Sequence, residues 1–324
     1  MTKRELLVVY PTLPPQMAQL EETYTLHRYD QAEDKAAFIA EHGPKCEGVV
    51  INGHASFRRE HLKHMPKLKI VACSSAGFED IDVDALTEAG VHFTNTSDAL
   101  FDDVADCALM LTLACRRHLV AGHDYVKTGA WGRQGMYPLT SALRGKKAGI
   151  AGLGTIGKAI ARRFEPIGLE LGYMARSKKD VPYAYFPDIV SLAEWSDILI
   201  VIVPGGPETE GMINADVCKA LGPKGTLINV ARGSVVNETD LIAALKDGTL
   251  GDAGLDVYLN EPNPNPELTG LPNVTLYPHH ASGTVETRDA MAQLVVDNLA
   301  ACFAGKPLLT PVNDVKQGAD AESA

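Results

Sequence analysis

Ala151-Gly152-Leu153-Gly154-Thr155-Ile156-Gly157 is the stretch that decides the fold. A short apolar run, Ala148 to Ala151, precedes it, and Lys158 to Ile167 reads as a helix, so its three glycines stand where a strand turns into a helix. That context is what a dinucleotide fingerprint requires. Gly152 permits the tight turn, Gly154 lets the backbone approach a pyrophosphate, and Gly157 lets the helix pack against the strand. The N–H groups opening the helix then bind the anion. A lone Gly-x-Gly-x-x-Gly is a weak signal, because many glycine-rich turns bind nothing; here the flanking elements and the strands downstream carry the assignment.

From Lys147 onward, strands are predicted at Lys147 to Ala151, Leu169 to Met174, Ile198 to Val203, Thr226 to Val230, Gly251 to Leu255 and Val274 to Tyr277. Helices fall between them at Thr155 to Ile167, Leu192 to Trp195, Asn214 to Leu221 and Glu238 to Lys246. Six strands, one leading into the fingerprint and five following it, make a complete doubly wound nucleotide domain. Upstream the same alternation runs through strands at Leu6 to Tyr10, Gly48 to Ile51, Leu68 to Cys73 and Val91 to Phe93, with helices at Pro15 to Tyr24, near Ser56 to His64 and at Val83 to Ala89. This βα pattern gives a second parallel sheet covered by helices. Cys73-Ser74-Ser75-Ala76-Gly77-Phe78 is a small-residue turn at a strand's carboxyl end, where open α/β sheets place ligands; a plain loop is the alternative. Asp98 to Thr128 reads as one long helix, apolar on more than one face, which favours a subunit contact. Gly129 to Leu143 reads as a loop, Thr284 to Phe303 as the last helix, and Gln317 to Ala324 as a polar end that frays.

The 324 residues, 45% hydrophobic and 22% charged, suffice for two cores. A formal charge of -11 argues against nucleic acid or an anionic membrane as the main partner. No stretch has the apolar length of a membrane span, and Met1-Thr2-Lys3-Arg4 runs into a strand without a signal-peptide core, which points to the cytoplasm. Six scattered cysteines without a Cys-x-x-Cys suit reduced thiols better than a disulfide framework or a metal site.

Three further stretches lie at strand ends: Asn229-Val230-Ala231-Arg232-Gly233, Asp256-Val257-Tyr258-Leu259-Asn260-Glu261-Pro262 and Tyr277-Pro278-His279-His280-Ala281-Ser282. The carboxyl ends of parallel strands share one side of the sheet, so Arg232, Glu261 and His279 can converge over one nucleotide. Reducing a 2-oxo acid needs a cation to hold and polarise it, a proton donor, and a hydride from a nicotinamide. Arg232 would supply the first and His279 the second. Glu261 would orient the imidazole and keep it protonated near neutral pH. Singly, each could be a surface pair, a solvated loop residue or a core histidine; jointly, at the ends of one nucleotide-binding sheet, the catalytic reading is preferred.

On Gly152 to Gly157, Asn229-Val230-Ala231-Arg232-Gly233-Ser234-Val235-Val236, Gly254-Leu255-Asp256-Val257, Glu261-Pro262 and Pro278-His279, the chain resembles the D-2-hydroxyacid dehydrogenases over nearly its whole length. The resemblance implies two doubly wound α/β domains. A Rossmann NAD(P)-binding domain, residues 99–284, would be inserted in a discontinuous flavodoxin-like substrate domain, residues 1–98 and 285–324. It implies that Arg232, Glu261 and His279 are catalytic, that Asp256 lies at the nicotinamide, and that Ser75, Ala76 and Gly77 hold the substrate carboxylate beside Arg232. Val203, Pro204, Val230, Ala231 and His279 join the fingerprint residues in the cofactor site. A cleft site between the domains and a homodimer through the Rossmann domains are implied as well. Thr284-Val285-Glu286-Thr287-Arg288 and the basic segment after the second nucleotide-domain strand resemble the glyoxylate/hydroxypyruvate and plant hydroxyphenylpyruvate reductases. His280 and Gly205-Gly206 depart from the family's usual residues; Pro278 favours His279 as the titrating histidine.

In an NAD-selective fold an acidic residue about 20 positions past the glycines binds the ribose 2′-OH. That position is Ala175, and Arg176, Ser177, Lys178 and Lys179 follow. A 2′-phosphate matches a guanidinium with a hydroxyl beside it, so NADP(H) is preferred, with NAD(H) admitted. The expected partner is a small 2-oxo or 2-hydroxy acid, glyoxylate or hydroxypyruvate. The alternatives are a bulkier acid such as hydroxyphenylpyruvate, with Trp131 and Met136 from a partner subunit setting the pocket's size, or a non-catalytic nucleotide sensor. The intact catalytic trio disfavours the sensor.

Overall fold

Two parallel sheets organise the chain. The computed structural model describes residues 3–315; the expectation for Gln317 to Ala324 falls outside them. The chain divides into one unit running up to Leu100 and again from Thr284, and a second unit, Phe101–Gly283.

In the first unit β1 (Glu5–Val8), β2 (Thr25–Arg28), β3 (Cys46–Ile51), β4 (Ile70–Cys73) and β5 (His92–Thr94) lie in the order β2-β1-β3-β4-β5, all parallel. This is the flavodoxin-like order, with its reversal between β1 and β3. A parallel sheet needs cover on both faces, so its strands read as unbroken apolar runs. Leu6 and Val8 pack with Leu20 of the helix Pro14–Thr23 and with Val295 and Leu299 of the helix Val285–Phe303. Leu7 points the other way, among Ile39, Val49 and Leu86. All three strand residues are fully buried, each contributing about 1.5–3 kcal/mol. The returning chain covers the edge of β5: Thr94 bridges Pro311 antiparallel. The Asn313 side chain accepts the Phe93 N–H (2.7 Å) and donates to the Val91 carbonyl (2.9 Å), which blocks pairing by another strand.

In the second unit β6 (Lys147–Ala151), β7 (Glu170–Met174), β8 (Ala184–Phe186), β9 (Ile198–Val201), β10 (Thr226–Asn229), β11 (Asp252–Leu255) and β12 (Val274–Leu276) lie in the order β12-β11-β10-β9-β6-β7-β8, parallel throughout. This is the Rossmann order with one added strand, reversing between β6 and β9. Six strands are predicted and seven form, the extra one being the three-residue edge strand β8.

The helix predicted over Asp98 to Thr128 is two, Ser97–Arg116 and Leu119–Lys127. Buried Arg116 donates to the Lys224 carbonyl (2.9 Å) and the Thr226 hydroxyl (3.2 Å), fastening the first helix under the sheet. His118 then adopts a φ of 46° and the chain turns. The loop predicted over Gly129 to Leu143 contains a helix, Ala130–Gln134. Among the described residues no helix is long and apolar enough to cross a membrane.

Candidate active site

The fingerprint forms the turn from β6 into the helix Thr155–Phe164. Gly152 has a φ of 104°, and a Cβ there would lie 2.8 Å from the Ile202 carbonyl oxygen; a Cβ on Gly157 would lie 2.0 Å from the Gly152 oxygen. Neither position tolerates a side chain. At Gly154 the reverse holds: a Cβ would meet nothing within 4 Å. Gly154 is the N-cap and makes no side-chain cap bond, and no acidic residue occupies the first turn. The opening N–H groups of Thr155 and Ile156 therefore lie at a helix end that is open beside Gly154, with the positive end of the helix dipole behind them. These residues fit a pyrophosphate. Leu153, 3% exposed, pins the turn into the core.

Arg176, Ser177 and Lys178 follow β7 after one residue, Ala175, and are exposed. Met174, the last residue of β7, pairs with Ala151 and accepts the Gly152 N–H (2.9 Å), which sets this basic turn beside the glycines. Buried Tyr173 ties it down, its hydroxyl accepting the Lys179 N–H (2.7 Å) and donating to the Lys179 carbonyl (3.2 Å). The chain beyond β9, with Val203 and Pro204, adjoins the same turn through the Ile202 N–H, which donates to Ala151 (2.9 Å).

Arg232 leaves the end of β10 on a loop that Asn229 shapes. The Asn229 side chain, 1% exposed, accepts the Ala231 N–H (3.0 Å) and donates to the Arg232 carbonyl (3.0 Å). The guanidinium donates to the Ala231 carbonyl (2.6 Å), and Val230 N–H bonds back to Val201 (3.3 Å). Gly233 passes beneath the next loop: a Cβ would lie 1.9 Å from the Tyr258 carbonyl carbon and oxygen. The loops carrying Arg232 and Glu261 are thus packed backbone against backbone.

Glu261 Oε1 accepts the Tyr258 N–H (2.9 Å), and Oε2 lies 2.5 Å from His279 Nδ1. The two side chains are 28% and 33% exposed, so each keeps one edge toward solvent. The Tyr258 hydroxyl donates to the Tyr277 carbonyl (2.7 Å) and accepts the Tyr277 N–H (3.1 Å), linking the Glu261 loop to the exit of β12. Burial pushes this phenol up to about 12, so it stays protonated. Asp256, 1% exposed, holds the histidine segment at three points. Its carbonyl accepts the His279 N–H (2.7 Å), and its carboxylate accepts those of His280 (2.8 Å) and Ala281 (3.1 Å). Burial raises the Asp256 carboxyl, and the two N–H bonds oppose that rise. The three ties hold His279 at a φ of 49°, a left-handed conformation that costs a non-glycine residue on the order of 1–3 kcal/mol. The His280 ring is turned to Gly283, where a Cβ would meet it at 2.2 Å, and to Tyr277 at 6.0 Å. His279, not its neighbour, meets the carboxylate.

The family model described as D-isomer specific 2-hydroxyacid dehydrogenase, NAD binding domain, matches residues 109–281, more than half of the chain. The chain belongs to the D-2-hydroxyacid dehydrogenase family. This dehydrogenase is 47% identical over 295 residues to a hydroxyphenylpyruvate reductase of Plectranthus scutellarioides, covering 91% of this chain and 94% of that protein. It is 45% identical over 295 residues to a glyoxylate/hydroxypyruvate reductase of Arabidopsis thaliana, with the same coverage of 91% and 94%. Among solved structures, the NADPH-dependent glyoxylate/hydroxypyruvate reductase of Sinorhizobium meliloti in complex with NADP and malonate matches with a TM-score of 0.87 at 41% identity, covering 96% of this chain and 97% of that one. The dehydrogenase is an oxidoreductase with a Rossmann NAD-binding domain, and its relatives are 2-oxo acid reductases.

In the first unit of the dehydrogenase, Ser75, Ala76 and Gly77 follow β4. The Ser75 carbonyl accepts the Thr96 N–H (3.2 Å) and the Ala76 carbonyl accepts from the Asn95 side chain (3.0 Å), fixing the loop from one side. Sequence reasoning passed over Asn229, Gly233, Tyr258 and the anchoring bonds of Asp256. Asn229 and Gly233 stood inside the quoted Arg232 stretch, and a polar residue closing an apolar strand with a glycine shortly past its end was the available sign of a clamped turn.

Proposed function

We propose that the dehydrogenase reduces small 2-oxo acids, glyoxylate and hydroxypyruvate, to the corresponding 2-hydroxy acids, and uses NADPH in preference to NADH. The observation that carries this reading is the 2.5 Å contact of His279 Nδ1 with Glu261 Oε2, on a loop packed against the one that presents Arg232. A bound nicotinamide supplies the hydride. Arg232 holds the substrate and draws charge toward its carbonyl oxygen, where a fixed cation lowers the barrier most. His279, held at Nδ1 by Glu261, gives the proton from Nε2 to the oxygen that becomes the hydroxyl. Amides of Ser75, Ala76 and Gly77 take the substrate carboxylate.

Gly152 through Gly157 hold the pyrophosphate, and Val203, Pro204, Val230, Ala231 and Asp256 border the cofactor. Arg176, Ser177 and Lys178 take the ribose 2′-phosphate; the basic turn tied beside the glycines supports this, as does the absence of a carboxylate at Ala175. Similarity to a hydroxyphenylpyruvate reductase favours, as the second reading, a bulkier acid on the same site. Met110, Leu113, Leu119, Val120, Val126 and Trp131 are between 40% and 61% exposed, and we read this apolar surface as the one buried in a homodimer.

The test is nicotinamide oxidation with glyoxylate, hydroxypyruvate and hydroxyphenylpyruvate, each with NADPH and NADH. Fastest turnover of the two small acids with NADPH is expected; turnover confined to the aromatic acid, or equal with both nicotinamides, contradicts the corresponding part.

A further inference from the structure

His54 stands in the middle of the rim formed by the carboxyl ends of the first unit's strands. Because β3 lies between β1 and β4, the turn that leaves β3 runs between the chain leaving β1 at Tyr10 and the loop 75–77 leaving β4. Strand order reverses between β1 and β3, and open sheets of this kind take ligands outside the carboxyl ends at that reversal.

The turn is built to present this residue. Buried Asn52 accepts the Ala55 N–H both at its side chain (3.0 Å) and at its carbonyl (3.3 Å), closing residues 52–55 into a tight turn. Gly53 donates its N–H to the Ser75 hydroxyl (3.1 Å), and a Cβ at Gly53 would lie 1.9 Å from the Gly77 carbonyl oxygen. The turn and the loop 75–77 are thus in backbone contact, and His54 is the exposed residue next to that contact. A ligand carboxylate held on the amides of 75–77 would have the turn 52–55, which carries His54, as its neighbour on this rim. Tyr10, 50% exposed, stands on the other bank.

We propose that His54 reads the substituent beyond the reacting carbon, pairing with a hydroxyl on C3, so that hydroxylated 2-oxo acids are the preferred substrate class. The proposal rests on the reductase reading above. An imidazole nitrogen can donate to a hydroxyl or accept from it. Hydroxypyruvate and pyruvate differ only by that hydroxyl.

The experiment measures kcat/KM for both acids in the wild type, His54→Leu and His54→Gln. The wild type is expected to favour hydroxypyruvate by about tenfold or more, the size of one hydrogen bond at a partly solvated rim. His54→Leu should bring the ratio to within about threefold of unity, and His54→Gln, which keeps a donor and an acceptor, should restore most of it. A ratio that survives in His54→Leu overturns the proposal, as does an equal loss on both acids. A wild type that reduces neither these acids nor glyoxylate overturns the reductase reading itself, a result distinct from active enzyme with an unaltered ratio.

Discussion

Glu261→Gln is nearly isosteric, yet the structure leaves the new amide no good orientation. The Tyr258 N–H points at Oε1 from 2.9 Å and demands an acceptor there. With its oxygen in that place, the substituted side chain turns its NH2 toward His279 Nδ1, which sits 2.5 Å from the native Oε2. Nδ1 must then accept rather than donate, which holds the ring neutral, and a neutral ring is a poor proton donor. Flipping the amide restores an acceptor for His279 but sets NH2 against the Tyr258 N–H, a conflict costing about 1–3 kcal/mol. Replacing the charge-assisted bond by a neutral one costs about 1–2 kcal/mol more. The sum, about 2–5 kcal/mol at the transition state, is about a 30- to 5000-fold loss in kcat. The assay is nicotinamide oxidation at saturating substrate, with cofactor affinity followed by fluorescence quenching to confirm an intact nucleotide site. A Glu261→Gln enzyme within about threefold of wild-type kcat would refute the orienting role of the carboxylate.

Arg176→Ala should raise KM for NADPH by about tenfold and move KM for NADH by less than about twofold, since only NADPH carries a ribose 2′-phosphate for the guanidinium; equal changes in steady-state KM for both would sink the assignment. Asp197 gives a pH prediction. Burial alone would raise its carboxyl, but the Lys147 N–H (3.0 Å), the Lys146 ammonium (3.0 Å) and nearby Arg116 outweigh burial and hold it below the usual carboxylate range. A depressed folded value means its contribution is present above the unfolded value of about 4 and is lost as pH falls through the folded one. Asp197→Asn should therefore cost about 1 kcal/mol in urea unfolding at neutral pH, with the gap to wild type closing on acidification; a widening gap contradicts the sign.

The nucleotide unit was legible because its β-strands are buried apolar runs and its glycines are obligatory: no other residue fits at Gly152 or Gly157. Strand ends locate themselves once a parallel sheet is recognised, so residue order alone brings the stretches of Arg232, Glu261 and His279 to one side of the sheet, where Glu261 meets His279. Edge elements hid. β2 reads Thr-Leu-His-Arg and β8 Ala-Tyr-Phe, and each pairs on one side only, so neither needs a long apolar run. The helix Lys35–His42 buries only Ile39 and thus lacked a visible stripe, though its N-cap Asp34 was a usable start signal. The break at His118 has no glycine or proline to mark it; it follows from Arg116 reaching under the sheet, a contact more than a hundred residues away in sequence. The Asn313 latch on β5 was invisible for the same reason.

Adjacent His279 and His280 allow the central claim to be tested within one pair of variants. Only the first meets the Glu261 carboxylate, while the second turns to Gly283 and Tyr277. Measured as NADPH oxidation at saturating 2-oxo acid, His279→Gln should lose at least about 1000-fold in kcat and His280→Gln less than about threefold, as expected when only one ring delivers the proton. A large loss in the His280 variant with turnover retained in the His279 variant would contradict the account.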